Sequence, residues 1–137
     1  FDLILCLEVI EHILDEKKFL KKIRKMLARN GLIILSTPLD SAPLAKLGLV
    51  TSFDEKVGHL RRYSKTKFIS LLSSNDLRIE KIIETEGVLR NSLFVFPALG
   101  FMVRFIRGPL VRIFTLIDDV IGKILGFSDL VLIATKK

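Results

Sequence analysis

Cysteine is nearly absent: Cys6 is the only one in 137 residues. One thiol excludes an internal disulfide framework and suits a reducing compartment such as the cytoplasm. Because Cys6 sits inside an apolar run, an inert core side chain is expected rather than a nucleophile. Histidine is almost as scarce, with His12 and His59 alone. The longest uncharged stretch, 91–103, holds Pro97 and Gly100, and it falls short of the ~20 residues that a membrane-spanning helix needs. Acidic residues are outnumbered 15 to 22, which leaves a charge of +7. The excess could point to nucleic acid, but Lys17, Lys18, Lys21, Lys22, Arg24 and Lys25 read as one solvated helix face. The phenylalanines lie in apolar segments and do not alternate with basic residues as base-stacking platforms do, so no nucleic-acid partner is expected.

What is present begins at the first residues. Phe1–Leu7 is a short apolar run typical of a strand buried on both faces. It breaks into Glu8, Glu11 and His12, groups that accept protons or bind cations. At the end of a buried strand these would lie where α/β sheets place their ligands. Asp15 caps an expected helix to about Ala28, with Phe19, Leu20, Ile23, Met26 and Leu27 on one face. Asn30-Gly31 is expected to supply a left-handed stop, and Leu32–Leu35 a second buried strand. Together they make a βαβ unit with parallel strands. Residues 39–57 lack sustained periodicity and read as a long functional loop. Ser64 caps a helix carrying Phe68, Leu71 and Leu72 that ends at Asn75; Leu77–Thr85 and Leu130–Ala134 read as strands.

The stretch FDLILCLEVIEH, the following helix and NGLIILSTP resemble the second half of a class I S-adenosylmethionine-dependent methyltransferase, closest to the ubiquinone-biosynthesis O-methyltransferases. Gly58–Ser64, GHLRRYS, resembles a second block of that group. The resemblance covers Phe1 to about Ile83 and the closing strand. It implies an α/β fold: the C-terminal half of a Rossmann-like seven-stranded sheet, with a helical hairpin inserted before the last strand. On this reading residues 1–137 are a single partial domain, with core elements at 1–87, the insertion at 88–127 and the closing strand at 128–137. None of the eight glycines forms the glycine-rich turn of such enzymes. An intact enzyme is therefore expected to carry roughly another hundred residues ahead of Phe1.

The resemblance further implies S-adenosylmethionine as cofactor, approached by Cys6, Leu7 and Glu8, with Leu7 contributing its backbone. An oxygen acceptor with a high pKa needs a base or a metal to remove its proton. In some relatives the E-x-x-E-H pattern, with a later histidine, binds a divalent metal such as Mg²⁺. The matching catalytic and metal positions are Glu8, Glu11, His12 and His59. The alternative is that Glu11 and His12 brace the next helix, since carboxylate–imidazole sets are also common as hydrogen-bond networks, and residue types alone favour it. Arg61, Arg62 and Tyr63 are expected on the acceptor side, with surface ion pairing an equal alternative for the arginines.

In the insertion, Ala98, Phe101, Met102, Phe105 and Ile106 share one helical face. Gly108-Pro109 starts a second helix striped by Leu110, Ile113, Phe114, Ile117, Ile121, Ile124 and Leu125. Arginines punctuate it. Two readings stand: peripheral contact with a membrane or a lipid-linked acceptor, and packing on the domain or on a second subunit of a homodimer. The functions expected are methyl transfer to an oxygen of a small or lipid-linked molecule or, alternatively, an inactive remnant serving as an interaction module.

Overall fold

The computed structural model describes residues 1–137. Its strands are β1 (Leu3–Leu7), β2 (Leu32–Pro38), β3 (Leu77–Thr85) and β4 (Asp129–Lys136), in the spatial order β1-β2-β4-β3. β1 and β2 run parallel, whereas β4 is antiparallel to both its neighbours. The last strand thus inserts between the second and third, which closes the sheet around the apolar residues of β4. In β3 the register shifts between Ile79 and Lys81. That bulge lets Ile79 and Ile82 face Ala134 and Leu132 across the ladder although they are three residues apart.

One face of the sheet is covered. Helix α1 (Glu16–Met26) contributes Leu20 and Ile23, and α4 (Lys65–Ser73) contributes Phe68, Leu71 and Leu72, to a core with Cys6, Leu35 and Leu132. Their starts follow the sequence: Asp15 accepts from Lys18 N and Ser64 from Lys67 N. The expectation that β1 is buried on both faces is corrected. Leu3, Leu5 and Leu7 are half-exposed, because helices lie only against the Ile4 and Cys6 side. The left-handed stop at Asn30-Gly31 is also corrected. Neither residue has positive φ; the helix ends with Leu27 in extended backbone. Gly31 is small for another reason: a Cβ there would lie 2.8 Å from Phe1 O and from Leu27 Cδ1.

The loop 39–57 contains two short helices, α2 (Pro43–Lys46) and α3 (Thr51–Val57); Leu44 of α2 and Val50, just ahead of α3, meet Val95 in a small second core. The insertion is less regular than a hairpin. It contains α5 (Val88–Val95), α6 (Pro97–Gly100), a 3-10 turn at Phe101–Arg104 and α7 (Pro109–Leu125). Pro97 breaks the single helix expected there, holding Phe96 in extended backbone. A clasp absent from the sequence reading joins the two arms. Asp118, fully buried on α7, accepts from Gly87 N at 2.8 Å, Leu89 N at 2.9 Å and Arg90 Nε at 2.6 Å. It caps α5 from another helix, supplying the acceptor that the exposed amides of a helix start require. Gly87 must stay small beside it, since a Cβ would fall 2.4 Å from Asp118 O.

Candidate active site at the strand ends

After β1 the chain turns sharply. Glu8 has a left-handed φ of 52°, unusual for a side chain bearing Cβ. Ser36, at the end of β2, holds it from both sides: Glu8 N donates to Ser36 Oγ at 3.0 Å, and Ser36 Oγ donates to Glu8 Oε1 at 2.5 Å. A 3-10 turn, Ile10–His12, then carries Glu11 into the interior. Glu11 is fully buried, its Oε2 meets Thr37 Oγ1 only at 3.5 Å, and its Oε1 has no hydrogen-bond partner.

The second sequence block reaches the same place. Leu60 N donates to Glu11 O at 3.0 Å, and His12 Nδ1 lies 2.9 Å from Gly58 O. A carbonyl only accepts, so His12 Nδ1 carries the proton of that bond. His59 Nδ1 lies 2.8 Å from Asp54 Oδ1, and Arg62 grips the same carboxylate through Nε and Nη2, each at 2.7 Å. Burial opposes the charge of Asp54, but the Arg62 and then the His59 interactions outweigh it and hold its pKa low. Asp54 is therefore an acceptor, and His59 Nδ1 the donor. Both imidazoles thus turn Nε2 toward Glu11 Oε1, at 3.9 Å from His12 and 3.8 Å from His59. These separations are too long for hydrogen bonds. The ligand atoms of Glu11, His12 and His59 all lie within 4.8 Å of one another. Three electron pairs facing each other, on two rings oriented from behind, match a metal-binding set with its outer supports. Glu8 lies outside this set.

Beside it opens a cavity of about 480 Å³, lined among others by Leu7, Glu8, Phe53, His59, Arg62 and Phe94. A second polar wall, formed by Glu86, Asn91 and Asp129, also faces it. Glu86, like Glu8, follows a strand with left-handed backbone, φ 57°. Burial, then the charges of Glu8 and Glu86, push Asp129 well above the usual carboxylate range.

The remaining sequence candidates divide cleanly. Arg62 and Leu7 line the cavity. Cys6 points into the core, and burial followed by the charge of Glu11 pushes its thiol up to about 11, which leaves it inert. Arg61 and Tyr63 are turned away from the cavity, a correction to their expected acceptor-side position. Both bind Glu16 Oε2, at 2.7 Å and 2.5 Å, and Tyr63 packs in the core against Phe68. Burial and then the Glu16 bond push Tyr63 up to about 12, so the phenol keeps its proton. Ser36, Asp54, Glu86, Asn91 and Asp129 were missed. For Ser36, Glu86 and Asp129 the available signal was a polar residue at a strand end; Asp54 and Asn91 gave none.

Residues 1–82 match the family model described as a methyltransferase domain. The chain belongs to the methyltransferase-domain family. A ubiquinone biosynthesis O-methyltransferase from Caulobacter sp. (strain K31) is 43% identical over 51 residues, 35% of this chain and 20% of that protein. Among solved structures, magnesium protoporphyrin IX methyltransferase from Synechocystis PCC 6803 with bound SAH superposes with a TM-score of 0.55 at 13% identity, over 100% of this chain and 45% of that one. A [4+2]-cyclase gives 0.59 at 13% identity, over 99% and 50%. The chain thus spans a fifth of the curated relative and about half of these solved structures, whose low identity establishes the methyltransferase fold alone.

The buried Glu11 makes a pH prediction for metal-free protein. Burial is the main cause raising its pKa from the ordinary 4.5 to about 7. Between those values the folded chain holds a proton that the unfolded chain has released. Stability should therefore fall as pH rises from about 4.5 to 7, on the order of 2 kcal/mol. Urea unfolding in chelator at both ends of that window measures it. Glu11→Gln should remove the slope, and an unchanged slope in that variant would refute the assignment.

Proposed function

We propose that the protein carrying this chain is an S-adenosylmethionine-dependent methyltransferase that acts on an oxygen of a small or lipid-linked acceptor. The observation that carries this reading is the convergence of Glu11 Oε1, His12 Nε2 and His59 Nε2 beside a cavity of acceptor size. Family membership supports the methyl donor, though fold alone would not decide the reaction, since a cyclase shares it. When bound, S-adenosylmethionine supplies an already activated methyl on its sulfonium. The backbone of Leu7 and Glu8 forms the part of its site that this chain contributes, at the cavity end of β1. Phe53, Val57 and Phe94 give the cavity apolar walls that exclude water and fix the acceptor.

The unpartnered Glu11 oxygen is the test of whether a metal fits, and it does. Glu11, His12 and His59 would hold a divalent ion, which would lower the pKa of an acceptor hydroxyl. Two imidazoles with one carboxylate favour Mn²⁺, Fe²⁺ or Zn²⁺ over Mg²⁺. Asp54 and Arg62 fix the ring of His59, while Glu8, steadied by Ser36, is placed to take the hydroxyl proton.

In the full-length protein, chelation should abolish turnover and added Mn²⁺ restore it. His59→Ala should cost at least about 100-fold in kcat, since a lost ligand should weigh at least as much as the loss of a group that supports one, while leaving binding of S-adenosylmethionine within a few-fold. Full activity after exhaustive chelation, with an active His59→Ala, would leave only general-base and positioning roles for these residues.

The lipid-linked form of the acceptor is supported by the insertion. Phe105 is 71% and Ile124 77% exposed, with Phe101, Leu116, Ile117 and Val120 also open to solvent. Arg104, Arg107 and Arg112 lie among them. No helix is long and apolar enough to cross a membrane. An apolar face with guanidinium groups at its edges suits peripheral contact with the anionic surface of a bilayer. Phe94, on α5 of the same insertion, is exposed and also lines the cavity. Full-length protein should float with anionic vesicles, and Ile117→Asp or Ile124→Asp should reduce flotation severalfold. A dimer that ignores vesicles and dissociates on the same substitutions would assign the face to subunit packing instead.

A further inference from the structure

Helix α5 carries Asn91 and Phe94 to the cavity, and Glu86, just ahead of it, lines the same space. Its own sequence does little to hold it there. Its eight residues are too few for a helix to persist alone. Its N-cap, Gly87, has no side chain to offer, and its first turn holds no acidic residue. Of its apolar residues only Val95 is buried, in the small core with Leu44 and Val50. What holds the first turn is Asp118, fully buried on α7. One carboxylate oxygen accepts from Leu89 N at 2.9 Å and Arg90 N at 3.3 Å, the other from Gly87 N at 2.8 Å and Arg90 Nε at 2.6 Å. These donors are flanked by Glu86 on one side and Asn91 on the other. Glu86 has a φ of 57°, a left-handed backbone that a residue bearing Cβ keeps only where its neighbours impose it. Bonds on either side do so, Ser128 N to Glu86 O at 2.7 Å and Gly87 N to Asp118. Asp118 itself does not line the cavity.

We infer that Asp118 is a positioning residue of the acceptor cavity, acting by fixing the start of α5 and through it Glu86, Asn91 and Phe94. The inference rests on the methyl-transfer reading for what the cavity receives, and it adds a residue outside the cavity to its machinery. Stability alone is a poor account of the arrangement, because apolar residues of similar volume often hold two helices as well as a buried ion pair does. Four directional bonds do what apolar packing does not: they set the rotation and the height of a short helix. The groups around Glu11 have separate supports, since Ser36 holds Glu8 while Asp54 and Arg62 hold His59. Loosening α5 therefore separates the acceptor side from the donor and metal sides.

The test is calorimetric binding to the full-length protein, well below its melting transition. The probes are 2-naphthol for the cavity, S-adenosylhomocysteine for the donor side and Mn²⁺ for the Glu11 cluster. In Asp118→Asn, whichever way the amide turns, its NH₂ group meets two of the four donors, so half the clasp is lost. 2-Naphthol should then bind at least about tenfold more weakly, roughly what the contact of one aromatic side chain is worth, with the other two probes within about twofold. Gly87→Ala should have the same effect with the carboxylate intact, because its Cβ would lie 2.5 Å from Asp118 Oδ1. Asp119→Asn, which breaks only the Arg90 Nη2 bond at the exposed edge, should leave all three affinities at the wild-type value. A purely structural Asp118 would lower the melting temperature and leave 2-naphthol binding by the folded protein unchanged. That result, a parallel loss of all three probes, or a wild type that does not bind 2-naphthol would overturn the inference. Failure of S-adenosylhomocysteine to bind would refute the donor reading alone, since the 2-naphthol comparison does not involve it.

Discussion

A carboxylate sealed from water has to be matched, and the strand ends of this molecule are arranged around matching Glu11. Its backbone carbonyl receives Leu60, which draws the Gly58–Tyr63 segment down onto the turn after β1. That places both histidines beside its free oxygen. His59 is then held by Asp54, Asp54 by Arg62, and Arg62 in turn by Leu39 O. Each group in this chain of bonds is satisfied from behind, and the one left open is Glu11 Oε1 itself. A buried charge left unpaired is costly. The arrangement resolves that cost in either of two ways, a proton on Glu11 or a cation among the three ligand atoms.

Much of the core was legible in the sequence because its signals are local. The caps at Asp15 and Ser64, the apolar stripe of α1 and the runs in β1 and β2 each depend on neighbours a few residues away. What failed depended on the third dimension. Leu3, Leu5 and Leu7 read as buried, yet their exposure is decided by which face the helices choose. Gly31 read as a conformational device, but it answers a close approach of Phe1 and Leu27.

The site divides along the same line. The E-x-x-E-H pattern and the two histidines were visible, whereas the groups that orient them were not. Asp54 sits in a stretch without periodicity, and nothing local says that it joins His59 to Arg62. Arg61 and Arg62 are adjacent in sequence but bind different partners, one Glu16 at the start of α1, the other Asp54 beside the cavity. The insertion follows suit: the break at Pro97 interrupts the hairpin that was expected, and the Asp118 clasp, spanning about thirty residues, was silent.

The central claim is that Glu11, His12 and His59 are poised for a cation rather than for one another. An anomalous difference map of crystals soaked in Mn²⁺ addresses it without reference to turnover. The account predicts one peak within bonding distance of Glu11 Oε1 and both Nε2 atoms. A map without that peak, in which the histidines instead close to hydrogen-bond distance of Glu11, would contradict it.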